Sequence, residues 1–153
     1  MVLAWPVGRL MVHLMALCRR KLMSMVSDRT PAKDLTAFLV MFPEEMAMTD
    51  EDPAAILDRY FTADFVQYND GVPFDRAKLI AHARPSRKNV VDCRVEVHEA
   101  LTTGDRVAAR YTLFAEMRKG PRVGTEIYMF GQLASDGRLS RIDQITREVP
   151  ESD

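Results

Sequence analysis

From residue 90 onward, apolar and polar residues alternate with a period of two over four segments, 91–102, 105–118, 122–134 and 138–148. Alternation at that period predicts β-strands. Thr103-Gly104-Asp105, Lys119-Gly120-Pro121 and Ser135-Asp136-Gly137 separate them. Turns this short make consecutive strands antiparallel neighbours. Before residue 90 the period is helical in three places. Thr30-Pro31 offers a hydroxyl cap and a first-turn proline, and Leu35, Phe38, Leu39 and Phe42 then recur at i, i+3, i+4 and i+7. Pro43 ends or kinks that helix. Asp52-Pro53 repeats the start signal ahead of a stripe of Ile56, Leu57, Tyr60 and Phe61. Asp75 caps a third helix with Leu79, Ile80 and Ala83 inward and Pro85 as its stop. Between the second and third helices, residues 64–69 alternate as a strand, and Asn69-Asp70-Gly71 turns the chain. Helices first and a meander afterwards predict an α+β domain. Its three N-terminal helices pack on a strongly bent antiparallel sheet that curls into a cup.

Composition narrows the picture by exclusion. The chain has 153 residues and a net charge of −1, which argues for one domain and against a nucleic-acid partner. No run of ~20 uncharged apolar residues occurs, so no membrane span is expected, and the expected location is the cytoplasm. Two cysteines, Cys18 and Cys93, do not make a disulfide framework. His13, His82 and His98 lack metal-ligand spacing, so no metal and no cofactor are expected. No glycine-rich phosphate loop or nucleophile elbow occurs, which speaks against nucleotide-dependent and serine-hydrolase chemistry. Residues 1–26 hold five of the ten methionines and read as a loosely ordered extension before a single domain over 27–153. A membrane-surface helix and a signal peptide are the other readings of that extension. Met23 or Met25 would also serve as starts.

The chemistry depends on which side chains face into the cup. Asp143 lies mid-strand in Ser140-Arg141-Ile142-Asp143-Gln144-Ile145, where aspartate is disfavoured. Inside an apolar cup its pKa would rise, which suits a general acid or base. Arg110 shares a row with Ala108, Thr112 and Phe114, and from inside it could hold Asp143 ionised or grip a substrate carbonyl. The opposite parity turns Val107, Tyr111 and Leu113 inward, and that row is the greasier one. Gln67 and Asn69 share a face of the first strand and suit the orientation of a carbonyl or a water, although Asn69 also fits the start of the turn. Glu126 and Tyr128 alternate with Phe130; Tyr128 could donate to an enolate-type oxygen and Glu126 could be a second carboxylate, or the pair could be structural. His98 falls in line with Arg94 and Glu96, facing solvent, and His82 falls on the polar side of the third helix.

This order of elements, with a strand between the second and third helices, resembles the nuclear transport factor 2-like superfamily. Within it the chain is similar to the SnoaL-like group of small polyketide cyclases, isomerases and hydrolases. The resemblance covers residues 31–149 and rests on DPAAILDRYFTADFVQYN, FDRAKLIAHARP and FGQLASDGRLSRIDQITR. It implies a cone-shaped fold and an apolar small-molecule cup, but no single chemistry. Limonene epoxide hydrolase offers the sharpest comparison. Its pattern puts Asn69 where that enzyme has an asparagine, Arg110 at its arginine and Asp143 at its last aspartate. Gln67 stands in place of a tyrosine and Thr112 in place of an aspartate, which weakens the parallel. The resemblance implies a cofactor-independent cyclase or isomerase for a hydrophobic, polyketide-like substrate of antibiotic biosynthesis, working by acid/base chemistry or by templated ring closure. The alternative is a non-catalytic ligand-binding or dimerisation module, and a homodimer through the sheet is expected.

Overall fold

The computed structural model describes residues 29–150. The extension over 1–26 lies outside the described residues. Among them run three helices, α1 (Leu35–Met48), α2 (Pro53–Tyr60) and α3 (Arg76–Asn89), and six strands. The strands are β1 (Phe61–Asn69), β2 (Val72–Asp75), β3 (Val90–Thr103), β4 (Arg106–Met117), β5 (Val123–Leu133) and β6 (Leu139–Val149). They form one sheet in the order β2-β1-β6-β5-β4-β3. The four-strand meander is antiparallel, as its short turns require. The expected all-antiparallel sheet needs one correction: β1 pairs with β6 in parallel, so the sheet is mixed. A parallel pair needs a long crossover, and the chain between β1 and β6 supplies one.

Two helix starts fall where the sequence put them. Asp52 accepts the Ala54 N–H at 3.1 Å and Asp75 accepts the Lys78 N–H at 2.9 Å. The first helix begins later than expected. Residues 31–33 form a turn, in which the Thr30 carbonyl accepts the N–H groups of Lys33 and Asp34. The Asp34 carboxylate then takes the cap position and accepts the Ala37 N–H. Pro85 does not stop its helix as expected, and Pro43, expected to end or kink α1, does not end it. Pro43 lies inside α1 and Pro85 inside α3. A proline removes one helical N–H and crowds the carbonyl four residues back, but packing and side-chain bonds carry both helices through. The Ser86 hydroxyl donates to the His82 carbonyl, and Arg87 reaches across to the carbonyls of Met46 and Glu51, tying α3 to α1. The short strand β2 was not foreseen. Asp70 and Gly71 take positive φ and fold β2 back onto β1, and Asp70 is pinned to β6 by the Thr146 N–H and hydroxyl.

The core lies between the helices and the concave face of the sheet. Ile56, Leu57 and Tyr60 of α2 are fully buried, and Leu35, Phe38 and Leu39 of α1 pack beside them. Each large side chain so buried stabilises the fold by ~1.5–3 kcal/mol. An aromatic cluster joins α1, α2 and β1: the rings of Phe42 and Phe61 lie 5.0 Å apart, edge to face, and those of Phe38 and Tyr60 lie 5.3 Å apart. From the sheet, Val107, Ala109 and Tyr111 of β4, Ile127 and Met129 of β5, and Leu139 and Ile142 of β6 complete it. No helix among the described residues is long and apolar enough to cross a membrane.

Gly131 sits in this core where strands approach closely. A Cβ there would lie 2.7 Å from Val107 Cγ2 and 2.9 Å from Leu139 Cδ2. Gly131→Ala is therefore expected to destabilise the protein by about 1–3 kcal/mol, the usual cost of overpacking, read from urea unfolding midpoints. An unchanged midpoint would mean the core there is looser than described.

Candidate functional site

The concave face is not filled. A hollow of ≈ 500 Å³ lies between α1, α3 and the sheet, within the size range of small-molecule sites. Its walls are mostly apolar: Phe38, Leu39 and Phe42 of α1, Phe61 and Phe74, Leu113, Ile127, Met129 and Ile142. The polar groups come from Gln67 and Asn69 on β1, Thr125 on β5, and Gln144 and Thr146 on β6. Parallel pairing of β1 and β6 sets Asn69 opposite Gln144, and the Gln144 amide donates to Asn69 Oδ1 at 2.8 Å. That bond fixes the Asn69 side chain and leaves its NH₂ free to donate elsewhere. Among the described residues no partner engages the Gln67 side chain. Tyr111 and His82 also line the hollow. Burial pushes the Tyr111 phenol above its ordinary value, so Tyr111 stays a neutral hydroxyl near physiological pH. Among the described lining residues none carries a carboxylate.

The sheet therefore takes the opposite parity to the one that would bring the expected acid inward. Asp143 lies on the convex face, half exposed, where its two oxygens accept from Arg141 Nε at 2.7 Å and Nη2 at 2.8 Å. Its hydrogen bonds from Arg141 hold the carboxyl below the usual range, outweighing partial desolvation. The expected rise would have needed an apolar surround without that partner. Arg110 is also convex, 3.2 Å from Glu99 and 3.4 Å from Glu126. Glu126 lies there too, clamped between Arg110 and Arg147. It is only 5% exposed, because the two guanidinium groups lie across it. Hydrogen bonding from Arg147 leads the causes that hold its carboxyl low. Thr112 is buried on the same face and hydrogen-bonds His98 at 2.8 Å. Tyr128, directly across from Arg110, is exposed. Of the seven residues singled out from sequence, the structure brings only Gln67 and Asn69 into the hollow. The other five belong to the convex face.

The physical reason lies in the composition of the two rows of each strand. In β4 the row Val107, Ala109, Tyr111, Leu113 faces the helices, and the row with Arg106, Arg110 and Glu116 faces out. In β6 the outward row holds Arg141, Asp143 and Arg147, leaving Ile142, Gln144 and Thr146 inside. A strand buries the row that costs least to desolvate. Gln144 and Thr146 were thus missed by one position, and Thr125 with them. The available signal was the run of charges on the Asp143 row. His82 was set aside as lying on the polar side of its helix, yet it edges the hollow. His98 faces outward as expected, but it bonds Thr112.

No curated protein matches the chain. Solved structures with the same architecture include AclR of Streptomyces galilaeus, a candidate hydroxylase, at 20% identity and a TM-score of 0.54, covering 70% of this chain and 86% of that one. IdmH of Streptomyces antibioticus, a candidate polyketide cyclase, is similar at 17% identity and a TM-score of 0.56, covering 76% of this chain and 91% of that one. An NTF2-like protein of unknown function from Exiguobacterium sp. 255-15 is similar at 10% identity and a TM-score of 0.60, covering 74% of this chain and 98% of that one. These likenesses establish a shared fold. A family model for the SnoaL-like domain matches residues 41–142, the stretch that builds most of the hollow, and the chain belongs to that family.

Proposed function

We propose that the hollow binds a hydrophobic, carbonyl-bearing small molecule of polyketide type and promotes its cyclisation or isomerisation without a cofactor. The observation that carries this reading is the distribution of polarity: aromatic and aliphatic walls, with the neutral amides of Gln67, Asn69 and Gln144 gathered where β1 meets β6. Amide donors at Asn69 and Gln67 suit a substrate carbonyl and strengthen as it gains enolate character. Apolar walls suit the folding of a flexible chain so that its reacting carbons meet, a step in which much of the barrier is entropic. The hollow lacks a carboxylate among its described lining residues, which favours templated ring closure over the two-carboxylate acid/base scheme. It also argues against a limonene-type epoxide hydrolysis, because Asp143 and Glu126 are each held by arginines on the other face. Where a proton must move, the His82 imidazole can both accept and donate it. That the relatives include a candidate polyketide cyclase supports the same substrate class.

The test uses aromatic and linear polyketide-type ketones, with binding read by calorimetry and turnover by mass spectrometry. Gln67→Leu and Asn69→Leu should each weaken ketone binding about five- to tenfold, the loss of one neutral hydrogen bond of ~1–1.5 kcal/mol. Asp143→Asn should change binding and turnover by less than about twofold, since one convex ion pair of this kind contributes little. A loss of orders of magnitude in Asp143→Asn, with the amide variants silent, would overturn the reading.

A second property is favoured by a separate observation. Leu101, Phe130 and Ile145 are 67–70% exposed and Tyr128 is 41% exposed, all on the convex face. Large apolar side chains grouped on one solvent-facing surface mark an interaction site. The proposed partner is a second copy of this chain, paired through the sheet. This contact would serve the enzyme and equally a non-catalytic binding module. Phe130→Lys places a lysine across from Asp143, so the monomer should tolerate it. Sedimentation should show a dimer for the wild type and a monomer for this variant; a wild-type monomer at tens of micromolar would contradict the pairing.

A further inference from the structure

A second hollow of ≈ 400 Å³ lies beside the first, between α1, α3 and the β3–β4 hairpin. It shares Phe42, Pro43, Leu79, His82 and Leu113 with the first, so the two meet along one wall. Beyond that wall its lining turns mostly apolar, with small side chains at Ala47, Ala83, Cys93 and Ala115 between the longer Met46 and Met117. The helices leave this space where both carry an internal proline, and Pro43 and Pro85 both line it. Opposite them, β3 and β4 pair Cys93 with Ala115, two small side chains at adjacent positions of the floor. The Cys93 thiol is half-buried, and burial leads the causes that push its pKa up, so it presents no charge to the space at neutral pH. The first hollow gathers its amides at the β1–β6 end, whereas the polar residues described in the second are the shared His82 with Ser86 and Asn89. Apolar space of this size, adjoining a polar-ended site, suits a ligand with two unlike ends.

We infer that the second hollow is a tail-binding annex: the ligand is an elongated molecule whose oxygenated head lies at Gln67, Asn69 and Gln144 and whose alkyl tail passes His82 into the space floored by Cys93 and Ala115. This inference rests on the reading of the first hollow as a ligand site, and it adds the substrate's shape. Three alternative contents of the annex make different predictions: nothing, a separate ligand, or protein side chains that collapse inward. A tail in the annex is the one content that makes a chain-length slope sensitive to Ala115→Phe; a steep slope that this variant leaves unchanged places the tail in the first hollow and overturns the annex.

The experiment titrates the full chain with acetophenone, hexanophenone and decanophenone. Affinity should rise with chain length by up to about fourfold per methylene, the equivalent of ~0.8 kcal/mol per buried CH₂. Ala115→Phe fills the annex, and the slope of log Kd against chain length should flatten. A second readout leaves the sequence unaltered. Modification of Cys93 by methyl methanethiolsulfonate, followed by peptide mass mapping, should be slowed at least tenfold by saturating decanophenone and little by acetophenone. A wild-type slope near zero, or equal Cys93 modification with all three ketones, overturns the annex even if Gln67→Leu still weakens acetophenone. A steep slope that Ala115→Phe abolishes, with Gln67→Leu silent, keeps the annex and overturns the head-group reading. Absence of binding by any of the three ketones overturns both.

Discussion

The structure depends on one constraint, the period-two alternation of its strands against a single buried face. Once α1 and α2 lay Phe38, Ile56, Leu57 and Tyr60 against the sheet, each strand must commit one row of side chains to that contact. The choice is cooperative, because a slip of one residue in any strand would bring arginines and carboxylates under the helices. In β4 it commits Val107, Ala109 and Tyr111; in β5, Ile127 and Met129; in β6, Ile142. The hollow lies where the inward rows of β1, β4, β5 and β6 face α1 and α3. What lines it follows from the same commitment.

That commitment explains why the site is neutral. Eight charged groups of the sheet, Arg94, Glu96, Glu99, Arg110, Glu126, Arg141, Asp143 and Arg147, fall on the convex side and pair among themselves. The residues left inside can donate and accept hydrogen bonds without ionising. On the proposed reading such a lining would steer a carbonyl with dipoles fixed by other bonds, as the Gln144 amide fixes Asn69.

Much of this was legible in the sequence. The four meander strands, the caps at Asp52 and Asp75 and the pairing of Gln67 with Asn69 on one face could all be read from periodicity and turn chemistry. Proline was misleading as a helix stop at Pro85, and at Pro43 the helix likewise runs on, because tertiary packing outweighs a lost helical bond. The parallel partner of β1 was hidden because nothing local specifies which strand a lone N-terminal strand will join. The site was harder. A single mid-strand aspartate attracted attention to Asp143, while the composition of its whole row, Arg141, Asp143, Ile145 and Arg147, pointed the other way. Parity is a property of rows, and the greasier row of β4, Val107-Tyr111-Leu113, held the answer. Gln144 could not be recognised without its neighbour across the parallel pair.

A diffraction structure of the protein soaked with hexanophenone would test the account most directly. The account predicts ligand density inside the concave hollow, with the carbonyl oxygen within hydrogen-bond distance of the Asn69 or Gln67 amide and the phenyl or alkyl carbons against Phe42, Leu113 and Ile127. Density on the convex face beside Asp143, or a hollow closed by the chain's own side chains with no ligand in it, would contradict it.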